Sequence, residues 1–506
     1  CGSGKIYDGT FTKKMISGDG VFAALPDAFG ISLGYTNDPT TFKNRSTPAP
    51  STRSMACKAQ TSGRIYLHSG LRTELHEIIR QEYARHQDRA VPRNTLRQAF
   101  AYQNFDAAAG EYTNRCCRPP RETEMRPWRL VTEIGWTGGG VLAYPLVLCR
   151  DALGADAEAP LAAAMSGEQL FDRIADAYNE NSGLLNDLMA PNAAGSQVNG
   201  WWTGYGLVKD CHCAYTVGSA IHYLTKTMDY LHQNGKPCPA KWMDAAQKVL
   251  HTVMDLQRAD GAFGYTYSTQ ERKVLDWSGF AGCWFAPALV YLYRLTGEER
   301  CLHSAEKALD YYHTFVKNLN CYGTPMDTWK AVDEEGNLAF MRGSRLLYEQ
   351  TGKAEFLQYM KDSAGYEFLW RYGYKTYPEH TPLNQGWSAC GGAVTSVSNP
   401  HIHPMGVIID TDLRYLARVT SDSYYASRAA DSAAWMLQCL ELYPAATGYG
   451  RYGILSERWC PSDGLDVERF SDGRPFSSWF SHNLWASACV LEAACELLLE
   501  IEHKKG

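Results

Sequence analysis

The sequence has 506 residues, of which 45% are hydrophobic and 21% charged, and its formal net charge is −6 at pH 7. This is the composition of a compact globular chain, because disordered chains have fewer apolar residues and a larger charge imbalance. Lysine and arginine do not cluster among aromatic residues, which argues against a nucleic-acid partner. Runs of about eighteen apolar residues are absent, so the sequence predicts no membrane-spanning helix.

The positions of the sixteen cysteines favour free thiols over a disulfide framework. Cys149 and Cys489, for example, lie on apolar helical faces, where a free cysteine packs as a small hydrophobe. The two tight groups, Cys116-Cys117 and Cys211–Cys213, lack the C-x-x-C spacing of a structural zinc site. We therefore predict no metal.

The first 62 residues are rich in Gly, Pro, Thr and Ser and contain only short apolar stretches, a pattern typical of strands and turns. We predict a short N-terminal β segment over residues 1–62, either packed on the helical body or the tail of a larger β domain. The chain opens at Cys1, as a mature bacterial lipoprotein does, but the strand-like pattern from Lys5 leaves no polar tether and favours a fragment or a processed chain. Free thiols favour the cytoplasm, with a lipoprotein or secreted protein as the alternative.

Two kinds of helix alternate along residues 63–506. Helices of the first kind have one apolar stripe and one charged face, as expected of an outer layer. They cover 70–88, 168–181, 240–257, 299–317, 353–371 and 422–441. Helices of the second kind are rich in Gly, Ala and aromatic residues and suit an interior layer; they cover 134–152, 213–232, 279–296, 339–351, 404–419 and 480–500. The alternation predicts a mainly α fold, an (α/α)6 toroid of twelve alternating outer and inner helices.

An internal repeat of about 55–75 residues supports this arrangement. The third and fourth inner helices end at Thr296-Gly297 and Thr351-Gly352, and the next outer helix follows directly. Links from inner to outer helices are thus short, whereas links from outer to inner helices are long. All long loops therefore lie where the inner helices begin, which we call the loop end of the ring.

The loops at this end combine aromatic rings with carboxylates, which is typical of sugar-binding clefts. The twelve-helix alternation, the turn Gln257–Gly264 and the Thr-Gly helix ends resemble the (α/α)6-barrel, or six-hairpin, glycosidases. Relatives in this group include unsaturated glucuronyl hydrolases and enzymes of the N-acylglucosamine epimerase type. The resemblance covers residues 63–506 at the level of architecture and implies a catalytic domain that acts on carbohydrate.

Hydrolysis of a glycosidic bond uses two carboxyl groups, and four lie near the starts of predicted inner helices. Asp276 and Asp210 precede the third and second inner helices, where helix capping is the alternative role. Glu133 opens the first inner helix, ahead of three glycines that permit close approach. Asp410 lies inside the fifth, where a salt bridge to Arg414 or another arginine is the alternative.

Aromatic and imidazole side chains at the loop end supply the predicted substrate contacts. Aromatic rings can stack on sugar faces, and imidazoles can bind sugar hydroxyls. His212 can also hydrogen-bond Asp210 and shift the pKa of that carboxyl. The predicted set is Trp201, Trp202, Trp277, His212, Trp387, His401, His403, Trp479 and His482.

These residues predict a glycoside hydrolase that acts on an oligosaccharide or glycan through two of the four carboxylates, without assigning acid and base. No cofactor is implied, because no nucleotide-binding glycine motif occurs. One alternative is a polysaccharide lyase in which a tyrosine, or His401, His403 or His482, abstracts a proton beside a uronate carboxylate. Another is a non-catalytic toroid scaffold, which would require an apolar docking patch.

Overall fold

The computed structural model describes most of the chain from Arg72 onward. Within the described residues there are twelve α-helices and fourteen short strands. These residues are 72–86, 89, 132–134, 139–153, 158–189, 197–198, 200–202, 207–324, 330–376, 383–384, 386–396, 399–439, 457–461, 468–469, 475–476 and 484–503. The predicted N-terminal β segment lies outside them.

Six even-numbered helices form the inner layer and six odd-numbered helices lie outside them. The inner helices are α2 (Gly140–Leu153), α4 (Ala214–Gln233), α6 (Phe285–Thr296), α8 (Glu335–Thr351), α10 (Asp410–Thr420) and α12 (Leu484–His503). The outer helices are α1 (Arg72–Arg85), α3 (Glu158–Asp176), α5 (Ala240–Asp255), α7 (Glu299–Lys317), α9 (Ala354–Trp370) and α11 (Ser423–Gln438). Two 3-10 turns, Ala281–Trp284 and Met405–Ile409, precede α6 and α10.

The inner helices form a closed ring. Each packs against its neighbours in chain order, and the turn Met405–Ile409 also contacts α8 and α12 on either side of α10. The ring closes because α12 packs directly against α2. The helices α3, α5, α7, α9 and α11 each pack on the inner helix that precedes them. The predicted mainly α (α/α)6 toroid is confirmed.

Helix α1, the first outer helix in the chain, packs on later outer helices. It packs against α9, where His76 covers Gly365 so closely that a Cβ there would lie 2.3 Å from the imidazole. Its Tyr83 hydroxyl donates to Asp431 of α11 at 2.6 Å. An aromatic and a histidine on one face of α1 thus bind it to the later outer helices.

The Thr-Gly helix ends are confirmed in detail. Gly297 and Gly352 follow α6 and α8 in the left-handed conformation, with φ of +73° and +66°. Their amides donate to the carbonyl oxygens of Tyr293 and Tyr348, and so satisfy groups that a helix end leaves open. Glycine adopts this conformation without steric cost, which lets the next outer helix begin two residues later.

The strands are two to five residues long and lie mostly at the loop end. Strands β8, β9 and β10 form an antiparallel sheet in which Cys213 pairs with Thr266 and Thr266 with Asp276. Glu133 lies in β1 opposite Leu188 and does not open a helix, so the start predicted for the first inner helix is wrong. The strands are β1 (Thr132–Glu133), β2 (Tyr178–Asn179), β3 (Leu184–Leu185), β4 (Leu188–Met189), β5 (Gln197–Val198), β6 (Gly200–Trp202), β7 (Leu207–Lys209), β8 (Cys211–Cys213), β9 (Thr266–Ser268), β10 (Val274–Asp276), β11 (Ala393–Ser396), β12 (Asn399–His403), β13 (Glu468–Arg469) and β14 (Pro475–Phe476).

A buried ion cluster joins four inner helices inside the ring. Lys226 of α4 lies 2.5 Å from Glu492 and 2.7 Å from Glu496, both of α12. Arg342 of α8 lies 2.8 Å from Asp412 of α10 and 3.9 Å from Glu496. Burial raises the pKa of Glu496, but the charges of Lys226 and Arg342 outweigh it and hold that pKa well below its ordinary value. Charge pairing therefore stabilises the contact between inner helices.

The described cysteines and helices add two findings. All twelve cysteines in the described residues are free thiols, and eleven of them are buried. None of the described helices combines the length and the apolar composition that a bilayer span requires.

Candidate active site

Asp276 lies at the loop end, where β10 leads toward α6. Its carboxylate accepts hydrogen bonds from Lys330 Nζ at 2.5 Å and from the Ser278 amide at 2.8 Å. Burial raises the pKa of Asp276, but these two donors outweigh it and hold the pKa below its ordinary value. The side chain is 36% exposed and does not cap α6, whose N-cap residue is Trp284. Asp276 is therefore an accessible carboxylate that stays ionised at neutral pH.

Trp277 follows Asp276 and is partly exposed. The guanidinium of Arg258 lies 5.2 Å from the centre of its ring, within the range of a cation–π contact. Arg258 in turn pairs with Asp260 at 2.6 Å. One side of the indole is thus held by this ion pair at the ends of α5 and β10.

Asp210 lies away from Asp276. It occupies the turn between β7 and β8 with φ of +57°, and its side chain is exposed. Asp276 lies in register with Cys213, two strands across the sheet, and Asp210 is three residues before Cys213. The backbones of Asp210 and Asp276 are therefore separated by about 10 Å along the strand direction and about 10 Å perpendicular to it. Cys213, not Asp210, is the N-cap residue of α4.

His212 hydrogen-bonds Asp187 and not Asp210. Its Nδ1 lies 2.7 Å from Asp187 Oδ1, and its Nε2 lies 2.9 Å from Ser182 Oγ. The second oxygen of Asp187 accepts from the Cys213 amide at 2.8 Å. Ser182, Asp187 and His212 are all buried, so this chain of hydrogen bonds fixes β8 and the start of α4.

Asp410 begins α10 and is the buried partner of Arg371, the C-cap residue of α9. Arg371 Nη1 donates to its Oδ1 at 2.8 Å, whereas Arg414 pairs with Glu500. Burial raises the pKa of Asp410 to about 6, and the charge of Arg371 limits the rise. The arginine-pairing alternative therefore describes the position of Asp410.

The residues that sequence reasoning missed are three successive acids at the start of α8. Asp333 precedes the N-cap residue Glu334, and its carboxyl accepts hydrogen bonds from the amides of Gly336 at 3.3 Å and Thr324 at 3.4 Å. Glu334 is fully buried, its carboxyl lies beside that of Glu367, and within the described residues no cationic side chain hydrogen-bonds it. Burial raises the pKa of Glu334 well above its ordinary value, and the charge of Glu367 raises it further. Glu334 is therefore a carboxylic acid that holds its proton more tightly than an ordinary glutamate does.

His401 and His403 lie on the strand pair that contacts the backbone of Glu334. The Glu334 amide donates to Thr395 of β11 at 2.7 Å, and β11 pairs with β12, which carries both histidines. His403 Nδ1 is 2.9 Å from the His401 carbonyl, and its ring stacks on Trp485 of α12. Burial lowers the pKa of His403 well below its ordinary value, so the imidazole is neutral.

The remaining predicted contacts divide into three groups. Trp387 is only 3% exposed and belongs to the core, so it is not a surface platform. Trp201 and Trp202 lie in β6, and Glu133 in β1, where the structure describes the backbone alone. Trp479 and His482 lie outside the described residues. Among the residues that are described, no group of three or more His, Cys, Asp or Glu side chains could hold a metal ion.

The arrangement of the helices has known counterparts. A family 76 glycoside hydrolase, a mannosidase from Bacteroides thetaiotaomicron, matches 81% of this chain and 99% of its own, with a TM-score of 0.51 and 14% identity. The chain has the (α/α)6 toroid fold. A cellobiose 2-epimerase from Spirochaeta thermophila matches 86% of this chain and 100% of its own (TM-score 0.49, 11% identity). No family model and no curated protein matches the sequence.

Within this toroid the loop end carries two carboxyl groups whose pKa values shift in opposite directions. Asp276 is accessible and its pKa is lowered, whereas Glu334 is shielded and its pKa is raised well above its ordinary value. A group that keeps a proton at neutral pH can donate it, and an ionised carboxylate can activate water or attack carbon. These two carboxyl groups therefore have the pKa shifts that an acid and a base need.

Proposed function

We propose that the protein is a glycoside hydrolase acting on an oligosaccharide or glycan, with Glu334 as the proton donor and Asp276 as the partner carboxylate. Hydrolysis needs one carboxylic acid to protonate the leaving oxygen and one carboxylate on the other side of the bond. In this assignment Lys330 keeps Asp276 ionised, and Trp277 beside it offers an aromatic surface for a sugar ring. Asp210, Glu133 and Asp410 are not part of the proposed pair.

The observation that carries the proposal is the opposite direction of two pKa shifts. Burial and Glu367 raise the pKa of Glu334, and Lys330 with the Ser278 amide lowers that of Asp276. Two carboxyl groups whose environments separate their pKa values can act as acid and base at the same pH. Because Glu334 is fully shielded, the proposed proton transfer includes a movement that uncovers its carboxyl.

The test is an activity panel of neutral and acidic oligosaccharides, with reducing ends measured together with the ultraviolet absorbance of unsaturated uronates. We expect reducing ends without new absorbance, and a loss of about 10²–10⁴-fold in turnover for Glu334→Gln and Asp276→Asn. Asp244→Asn is the matched control for Asp276, since it removes an exposed aspartate paired with Lys248 at 3.0 Å on α5. Full activity in either site variant would refute the assignment of that residue.

A polysaccharide lyase is the second candidate, and the neutral imidazole of His403 favours it. A neutral histidine can accept the proton beside a uronate carboxylate, and burial keeps His403 in that form. New absorbance that disappears in His403→Gln would establish the lyase in place of the hydrolase. A changed sugar configuration without cleavage would also overturn hydrolysis, and silence across the panel would favour the scaffold.

A further inference from the structure

We propose that Glu367 is a positioning residue for Glu334, fixed by Arg371 so that Glu334 and not a neighbouring carboxyl carries the proton. The catalytic role in this inference rests on the proposed function, whereas the contacts among the residues do not depend on it. Glu334 is the N-cap residue of α8, Glu367 lies on α9, Arg371 is the C-cap residue of α9 and Asp410 begins α10. We call these four residues the proton-holding cluster. All four side chains are almost completely buried.

The two glutamates meet at Gly406. A Cβ at this position would lie 2.4 Å from Glu334 Oε1 and 3.1 Å from Glu367 Oε1, so both oxygens occupy the space that a side chain would need. Gly406 therefore permits two carboxyl groups to approach one point of the interior. Burial is the largest cause of the raised pKa of Glu334, and the charge of Glu367 is the second largest.

Arg371 is already bound to two members of the cluster, Glu367 and Asp410. Its Nη2 donates to Glu367 at 2.8 Å and to the Gly406 carbonyl at 2.7 Å, and its Nε donates to Glu367 at 3.1 Å. Its Nη1 donates to Asp410 at 2.8 Å. Within the described residues none of the hydrogen bonds of this guanidinium reaches Glu334, so Glu334 is the carboxyl of the cluster without a hydrogen bond from Arg371.

Charge counting gives the same assignment. Three carboxyl groups share one buried guanidinium, and a buried negative charge without a partner is costly enough that the group takes up a proton instead. Arg371 forms hydrogen bonds with Glu367 and Asp410. Glu334 is therefore the carboxyl group that takes up the proton. The titratable and charged groups facing the cluster are Glu335 on α8, Arg414 on α10 and Cys489 on α12.

The first measurement is infrared difference spectroscopy across pH, which detects the C=O stretch of a protonated carboxyl without any substrate. The wild type should have such a band at neutral pH, and the band should be missing in Glu334→Gln. Subtracting the spectrum of the variant from that of the wild type removes the bands of other buried acids such as Asp333 and Glu492. In Glu367→Gln the pH at which this band disappears should fall by about one unit or more, because a neighbouring negative charge is removed. Glu367→Asp, which keeps the charge, should restore most of the wild-type value.

Glu349→Gln is the matched control, because it removes a carboxylate paired with Arg294 and Arg345 at the opposite end of α8. It should leave the band and its pH dependence unchanged. A wild type without the Glu334 band, or a Glu367→Gln variant with the wild-type pH dependence, would overturn the inference. If Glu367→Gln fails to fold, the comparison of the wild type with Glu334→Gln still tests whether Glu334 carries the proton.

The second measurement separates this inference from the proposed function. If the protein hydrolyses a member of the panel, the alkaline limit of turnover should move down in Glu367→Gln together with the infrared band, with little change in KM. If no substrate is cleaved but the band behaves as expected, the cluster stands and the hydrolase assignment fails. If turnover depends on Glu334 but the band is insensitive to Glu367, the hydrolase assignment stands and the inference on Glu367 fails.

Discussion

Replacing Lys226 by methionine should destabilise the ring more than any exposed charge substitution. Lys226 is 5% exposed and lies between Glu492 and Glu496, so its removal leaves two buried carboxylates without their nearest cation. Breaking a buried ion pair from one side costs about 3–5 kcal/mol. The cost should be larger at pH 8 than at pH 4, because in the variant these carboxyl groups can be neutralised only by protons, which become scarce as pH rises.

The assay is urea unfolding followed by circular dichroism at both pH values, with the slope m compared to confirm that the unfolded state is unchanged. The triple variant Lys226→Met, Glu492→Gln, Glu496→Gln should be more stable than the single variant, because no charge is left unpaired. Lys241→Met is the exposed control, paired with Asp172 at 3.2 Å, and should cost less than about 1 kcal/mol. A cost below about 1 kcal/mol for Lys226→Met would refute the reasoning, since it would mean that water solvates the cluster.

Two further substitutions test the loop end. Gly261→Ala should destabilise the fold by at least about 1–3 kcal/mol in thermal unfolding, because φ is +96° and a Cβ would lie 2.0 Å from the Lys307 carbonyl. Gly235→Ala, with φ of +63° and open space around it, should cost only about 1 kcal/mol; equal costs would contradict the steric argument. Asp187→Asn should cost about 1–3 kcal/mol, because the amide cannot accept from both His212 and the Cys213 backbone as the carboxylate does; an unchanged unfolding midpoint would contradict a structural role.

The layers of the fold could be predicted because helical period and helix ends are local properties of the sequence. Gly297 and Gly352 mark the ends of α6 and α8 by their freedom to adopt positive φ, and each is followed at once by a charged outer helix. The two- and three-residue strands were not predictable in this way, since they are too short to show a period. Glu133 and Asp210 were therefore assigned to helix starts, although one lies in a strand and the other in a turn.

The candidate site was predictable only in part. Asp276 is next to Trp277 and precedes an inner helix, so its neighbours in sequence indicated its position. Glu334 gave a weaker signal, three successive acids ahead of an apolar helix, and the predicted start of that helix at 339 placed them in a loop. Its environment depends on Glu367 and Gly406, which are tens of residues away and meet it only when α8, α9 and the turn before α10 pack together.

Closure of the ring by α2 and α12 sets the order of events during synthesis. Tyr144 of α2 donates to Glu496 of α12 at 3.1 Å across 352 residues of sequence. At about 5–20 residues per second, the ribosome needs roughly 20–70 s to make the second partner after the first. Throughout that interval the apolar flank of α2 that α12 will cover stays open to solvent and to other nascent chains. Speed of translation and access to chaperones therefore bear directly on the yield of this protein, independently of its final stability.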